Sequence, residues 1–143
     1  MLHLNRKTEY ALLAMSFLVD LEGDAVASVN EISERYQLPT MLLSKVMQRL
    51  KKYGYVCSIK GCSGGYSLAC VPSEIPLVKL LQDMDESMQL VTCQDDDGEY
   101  CKQFDACRIR DPIHNIEARI ADLLSTITVA DAIGGASAKA NVA

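Results

Sequence analysis

Tryptophan is absent from this chain, and phenylalanine occurs only twice in 143 residues. That scarcity excludes a large aromatic platform for stacking a ligand. Eight glycines and four prolines are too few for a collagenous or low-complexity chain, and no apolar run approaches the ~20 residues of a membrane-spanning helix. There is no CxxC pair, no histidine beside a nucleophile and no glycine-rich cofactor loop. The chain therefore reads as not an enzyme, with no small-molecule substrate and no membrane partner. Its composition, 49% hydrophobic and 23% charged, is that of one globular domain, or one domain with an appendage, at roughly 100–200 residues per domain.

Acids are missing from one particular stretch. Arg35 to Ser73 holds Arg35, Lys45, Arg49, Lys51, Lys52 and Lys60 and no Asp or Glu. The net charge of -5 hides a dipole, with +2 on residues 1–72 and -7 on residues 73–143. A polyanion would meet the first half, with the acidic half turned away. On charge alone, a solvated basic face serves equally well.

The amino-terminal apolar run ALLAMSFLV follows Arg6 and Lys7, as a signal peptide would. However, Glu9 and Asp20 bracket only ten residues. Tyr10, Leu13, Ala14, Phe17, Leu18 and Leu21 form one stripe at helical spacing. The reading is a soluble, cytoplasmic protein whose six cysteines serve as metal ligands, sensors or packing rather than disulfides.

Along the chain, an amphipathic helix runs from Thr8 to Leu21, and Asn30 caps a short second helix. After a turn at Tyr36 to Pro39, a third helix extends from Thr40 to about Tyr53. Leu43, Val46, Met47 and Leu50 form its inner side, and Thr40, Met41, Ser44, Lys45, Gln48 and Lys52 its outer side. YVCSI and YSLAC read as strands around the tip KGCSGG. This is the order of a winged helix-turn-helix. A helix about 12 Å across fits the major groove of DNA. Lys60 stands at the tip with Ser63 and Gly64, where small residues let backbone approach phosphate. A winged helix that docks protein instead has the same order of elements.

Leu77 to Met84 is a fourth helix. Beyond Pro112, the residues Ile113, Ile116, Ile120, Leu123, Leu124 and Ile127 make a long apolar seam suited to pairing with a second copy. A two-fold dimer reads a palindromic operator. Thr128 caps one further turn, VADAI. The fold class expected is mainly α with a small β-hairpin, a winged helix-turn-helix plus a long C-terminal dimerisation helix. Residues 1–72 form the DNA-binding domain and 73–111 the connecting helix and cysteine loop. Residues 112–133 form the dimerisation helix and 134–143 a flexible tail.

Cys93, Cys101 and Cys107 lie at C-x(7)-C-x(5)-C. Structural zinc favours pairs two to four residues apart and a fourth ligand. An EF-hand calcium loop with Gly98 at its sixth position needs an acid where Cys93 stands. Three separated thiolates suit the iron corners of a cluster; redox thiols or inert cysteines share the spacing. His114, seven residues past Cys107, is about 10 Å away along a helix, too far for the same cluster. Cys57 and Cys70 read as strand packing.

KTEYALLA, the KGCSGGYSLA wing, MDESMQLVTC and the three-cysteine loop, in this order, resemble the Rrf-two family of bacterial iron–sulfur winged-helix regulators, whose members include IscR, NsrR and RirA. The resemblance spans nearly the whole chain. It implies a homodimer on double-stranded palindromic promoter DNA, whose cluster state sets DNA affinity. Controlled genes would serve iron–sulfur assembly, iron, or the redox and nitric-oxide response. Cys93, Cys101 and Cys107 match the cluster ligands. IscR-like members carry a histidine three residues after the third cysteine, where Arg110 stands here. NsrR-like members use an acid of the partner's first helix, and Glu9 occupies that place. Ser44 and Lys45 fall where bases are read, and Lys60 where the wing enters the minor groove. Three cysteines with one oxygen ligand hold either [2Fe–2S] or [4Fe–4S]. The alternative is a cluster-free, thiol-based redox-sensing repressor on the same fold.

Overall fold

Asn5 opens the first helix, its Oδ1 accepting the Thr8 amide at 2.9 Å as an N-cap. In the computed structural model, α1 accordingly spans Arg6–Val19, beginning earlier than the apolar stripe alone indicates. The structure describes residues 3–93 and 99–134. Tyr10, Ala14 and Leu18 are buried as expected, but Ala11 and Met15 join them, while Leu13, Phe17 and Leu21 are only half-buried. The stripe is rotated because the next two helices and the hairpin all pack against α1. Together they cover a broader face than the six-residue stripe.

The second helix, α2, spans Val29–Tyr36, and its cap is Ser28 rather than Asn30. The Ser28 hydroxyl accepts the Glu31 amide at 3.2 Å while the Glu31 carboxylate accepts the Ser28 amide at 2.6 Å. This reciprocal capping box satisfies two otherwise orphaned donors, and leaves Asn30 inside the first turn. Gln37 then adopts a left-handed conformation (φ 53°), and α3 follows over Thr40–Lys52. Its inner residues Leu43, Val46, Met47 and Leu50 are all buried, as the periodicity requires.

The hairpin strands β1 (Val56–Ile59) and β2 (Gly65–Leu68) are antiparallel, with Cys57 opposite Ser67 and Ile59 opposite Gly65. Ala27, between α1 and α2, exchanges both backbone hydrogen bonds with Tyr66, at 2.9 and 2.7 Å. That pairing fixes the hairpin to the helices, and it explains two glycines. A Cβ on Gly65 would stand 2.6 Å from the Ala27 carbonyl oxygen, and one on Gly64 only 2.2 Å from that of Ile59. Both are glycine because the chain passes close to itself.

A 3₁₀ turn at Pro72–Glu74 leads to α4, Leu77–Asp83. The long helix α5 covers Arg110–Thr126, so Pro112 lies within its first turn, where no backbone N–H is needed. Thr128 and Asp131 form a second capping box for α6, Val129–Ala132. This last turn returns to the start of the domain. Leu77 N–H donates to Ile127 O at 2.7 Å and Val129 N–H to Ile75 O at 2.9 Å. Val129 and Ile133 are buried in the same cluster as Met15, Leu43, Met47, Leu80 and Met84. The described residues are thus mostly helical with one two-stranded hairpin. Residues 135–143, most of the expected tail, lie outside them, as do 94–98.

Nothing on α5 is buried. Ile109, Ile116 and Leu123, seven residues apart, are 63%, 45% and 61% exposed, while Ile113, Ile120, Leu124 and Ile127 are half-buried.

Candidate nucleic-acid interface and cysteine loop

The outer face of α3 is a run of side chains set by the same period that buries its inner face. Met41 is 80% exposed. Lys45, Gln48 and Lys52 are exposed and Ser44 is half-buried. Thr40 is exposed, but its hydroxyl lies 2.9 Å from Ser33 Oγ, which itself donates to Leu38 O at 2.6 Å. Ser33 has one proton, so Thr40 is the donor between them. Its hydroxyl locks the turn between α2 and α3.

Lys45, Gln48, Arg49 and Lys52 share a groove with Lys7 of α1, over Leu42 and Val46. Lys7 is a basic residue that sequence reasoning left out, since nothing local links it to α3. Arg49 is withdrawn from the solvated basic face. Its Nε donates to Asp83 O at 2.6 Å and its Nη2 to Asp85 at 2.7 Å. Asp83 also accepts the Tyr55 hydroxyl at 2.5 Å and Lys79 Nζ at 3.0 Å. Burial first, then Asp83, push the Tyr55 phenol well above its ordinary range. Two ties therefore hold α3 and the base of the hairpin to α4. At the hairpin tip, Lys60 and Ser63 are exposed and Gly64 half-buried.

The cysteine loop is organised from α5. Cys101 N–H donates to Cys93 O at 2.9 Å, and Phe104 N–H to Cys101 O at 2.9 Å. Arg110 lies with its guanidinium 4.4 Å from the centroid of the Phe104 ring and donates to Phe104 O at 3.1 Å. Tyr100 packs on the same ring at 4.5 Å. Arg110 thus clamps the 3₁₀ turn Phe104–Ala106 that precedes Cys107. Glu117 Oε1 accepts the amides of Leu90 at 2.6 Å and Val91 at 3.3 Å. Between these anchors, Cys93 Sγ lies 3.6 Å from His114 Nε2. Distance along the helix from Cys107 dismissed His114; the fold brings it to Cys93 instead.

All six cysteines are free thiols. Cys93 and Cys107 are half-buried, and Cys101 is exposed, with its thiol 3.0 Å from Gln103 Oε1. Among the described residues no three His, Cys, Asp or Glu side chains converge on one ion. Glu9 is exposed in the first turn of α1. Cys57 is exposed, its Sγ 3.1 Å from Ser67 Oγ across the hairpin, so it does not pack. Cys70 does, and burial raises its thiol pKa. Cys62 is exposed at the tip.

Comparison with known proteins places the chain in a class, then a family. It is 31% identical to the HTH-type transcriptional regulator NsrR of Geobacillus kaustophilus, over 91% of this chain and 88% of that one. It is 30% identical to the HTH-type transcriptional regulator IscR of Serratia proteamaculans, over 92% and 79%. Both are transcriptional regulators. Residues 4–135 match the Rrf2 family, described as iron-dependent transcriptional regulator, and the chain belongs to that family. The fold is similar to that of T. potens IscR (TM-score 0.68, 25% identity, 92% of this chain and 86% of that chain). It is also similar to that of CymR, the global cysteine regulator of B. subtilis (TM-score 0.70, 23% identity, 93% and 97%). No described helix is long and apolar enough to cross a membrane.

Proposed function

We propose that this protein is a dimeric, iron–sulfur cluster-sensing regulator that binds palindromic promoter DNA in the cytoplasm. It controls iron–sulfur assembly, iron, or redox and nitric-oxide response genes. Residues 1–72 act as a winged helix-turn-helix. From α3, Met41, Ser44, Lys45, Gln48 and Lys52 face the major groove, with Thr40 at its entry. Lys60 and Ser63 reach DNA from the wing, and Gly64 closes its tip. Residues 73–111 carry the sensor, and residues 112–133 pair two copies. The exposed Ile116 and Leu123 on α5, continued by Ile109 at its N-cap, support that pairing, since such an apolar row is a surface to be covered.

The observation behind this reading is that three free thiols sit on one loop that is pinned to α5 by hydrogen bonds. That donor set is soft, as iron–sulfur ligation requires. Cys93, Cys101 and Cys107 would hold it, with Glu9 of a second copy as the oxygen ligand. When bound, the cluster would supply a redox- and nitric-oxide-sensitive centre. Arg110, His114 and Glu117 hold the loop against α5, so a rearrangement of the loop would be felt on the helix that pairs the two reading heads. A change in their spacing costs half-site fit and affinity.

A thiol-based repressor is the second reading, favoured by the exposed Cys101 thiol. Anaerobic purification, an absorption spectrum, and iron and acid-labile sulfide counted per subunit separate the two. Brown protein with near-equal iron and sulfide is the expected result. Colourless protein without sulfide, even after reconstitution, refutes the cluster and leaves the thiol switch. Absence of DNA binding in every redox state refutes both.

A further inference from the structure

Arg110, His114 and Glu117 fall within about 60° of each other around α5 at 100° per residue. The outer two are tied to the cysteine loop by the hydrogen bonds described above. The third, His114, faces Cys93, with its Nε2 at hydrogen-bonding distance from the sulfur, 3.6 Å. His114 is exposed, and it lines a surface cleft with Gln89, Val91, Cys93, Tyr100, Phe104 and Glu117, so the imidazole and the thiol share one cleft.

We propose that His114 is a positioning residue for the sensor, donating Nε2–H to the Cys93 sulfur. The inference rests on the cluster reading above. A thiolate accepts such a bond well, and hydrogen bonds to ligand sulfurs draw charge from them and raise the reduction potential. His114 therefore sets the potential of the centre. It also makes Cys93 the ligand whose sulfur meets α5.

The chain has two histidines, His3 and His114, which makes the test simple. Full-length protein is labelled with ¹⁵N-histidine, purified anaerobically with its iron and sulfide counted, reduced, and read by pulsed electron paramagnetic resonance. A weak ¹⁵N coupling that survives His3→Ala and vanishes in His114→Phe is the expected result. The midpoint potential should fall in His114→Phe and recover in part in His114→Gln, which keeps a donor. A strong coupling would make His114 a ligand and overturn the hydrogen-bond role. So would no coupling at all in the wild type, a measurement that needs no variant. An unchanged midpoint potential in His114→Phe also overturns the proposal. Iron- and sulfide-free wild-type protein would instead refute the cluster reading itself.

Discussion

Arg49 separates what the basic face does from what it only contains. In Arg49→Met the aliphatic stem remains while two bonds to α4 are lost. The bond from Nε to the Asp83 backbone carbonyl, at 2.6 Å, is made by a charged Arg49 side chain that is only 29% exposed. Hydrogen bonds of charged groups contribute about 1.5–3 kcal/mol. The bridge to Asp85, whose side chain is 58% exposed, adds about 0–1 kcal/mol after solvent screening. The expected loss is therefore about 2–3 kcal/mol, or a fall in Tm of about 10 °C for a chain of this size. Differential scanning calorimetry measures it, and Asp85→Ala should account for the smaller share. The second arm is DNA binding across a salt series. Because Arg49 is engaged with α4, the slope of log affinity against log salt should not change. Unchanged Tm with a slope reduced by about 1 would refute the reasoning and return Arg49 to the phosphate-binding face.

Lys45→Ala should weaken operator binding at fixed salt and reduce the same slope by about 1; unchanged affinity would mean that α3 does not face DNA. Gly64→Ala puts a Cβ within 2.2 Å of Ile59 O and should destabilise the domain by about 1–3 kcal/mol, read as a lower Tm; an unchanged Tm would show that the tip opens freely. Hydrogen bonds from the backbone and then the side chain of Ser28 hold the Glu31 carboxyl below its ordinary value of 4.5. A depressed folded-state pKa stabilises the fold above the unfolded value and loses that contribution as pH falls through the folded one. The Tm difference between wild type and Glu31→Gln should therefore be present at neutral pH and close on acidification below the unfolded value, and a difference independent of pH would refute the capping account.

Whatever repeats within one element was legible in the amino-acid sequence. The inner and outer faces of α3, the hairpin pairing and the Thr128 cap follow from helical period, strand alternation and short-range hydrogen bonding. These interactions join residues at most a few positions apart, or across one tight turn. Even there, Ser28 rather than Asn30 is the cap because its hydroxyl and amide pair with Glu31 three residues on. Tertiary structure decided the rest, because the partners are far apart in the chain. Arg49 meets Asp85 across 36 positions, Glu117 holds Leu90 across 27, and His114 reaches Cys93 across 21. No periodicity spans such gaps. Only the packing of α3 on α4, and of the cysteine loop on α5, turns a basic residue into a strut and a dismissed histidine into a neighbour of the sensor thiol.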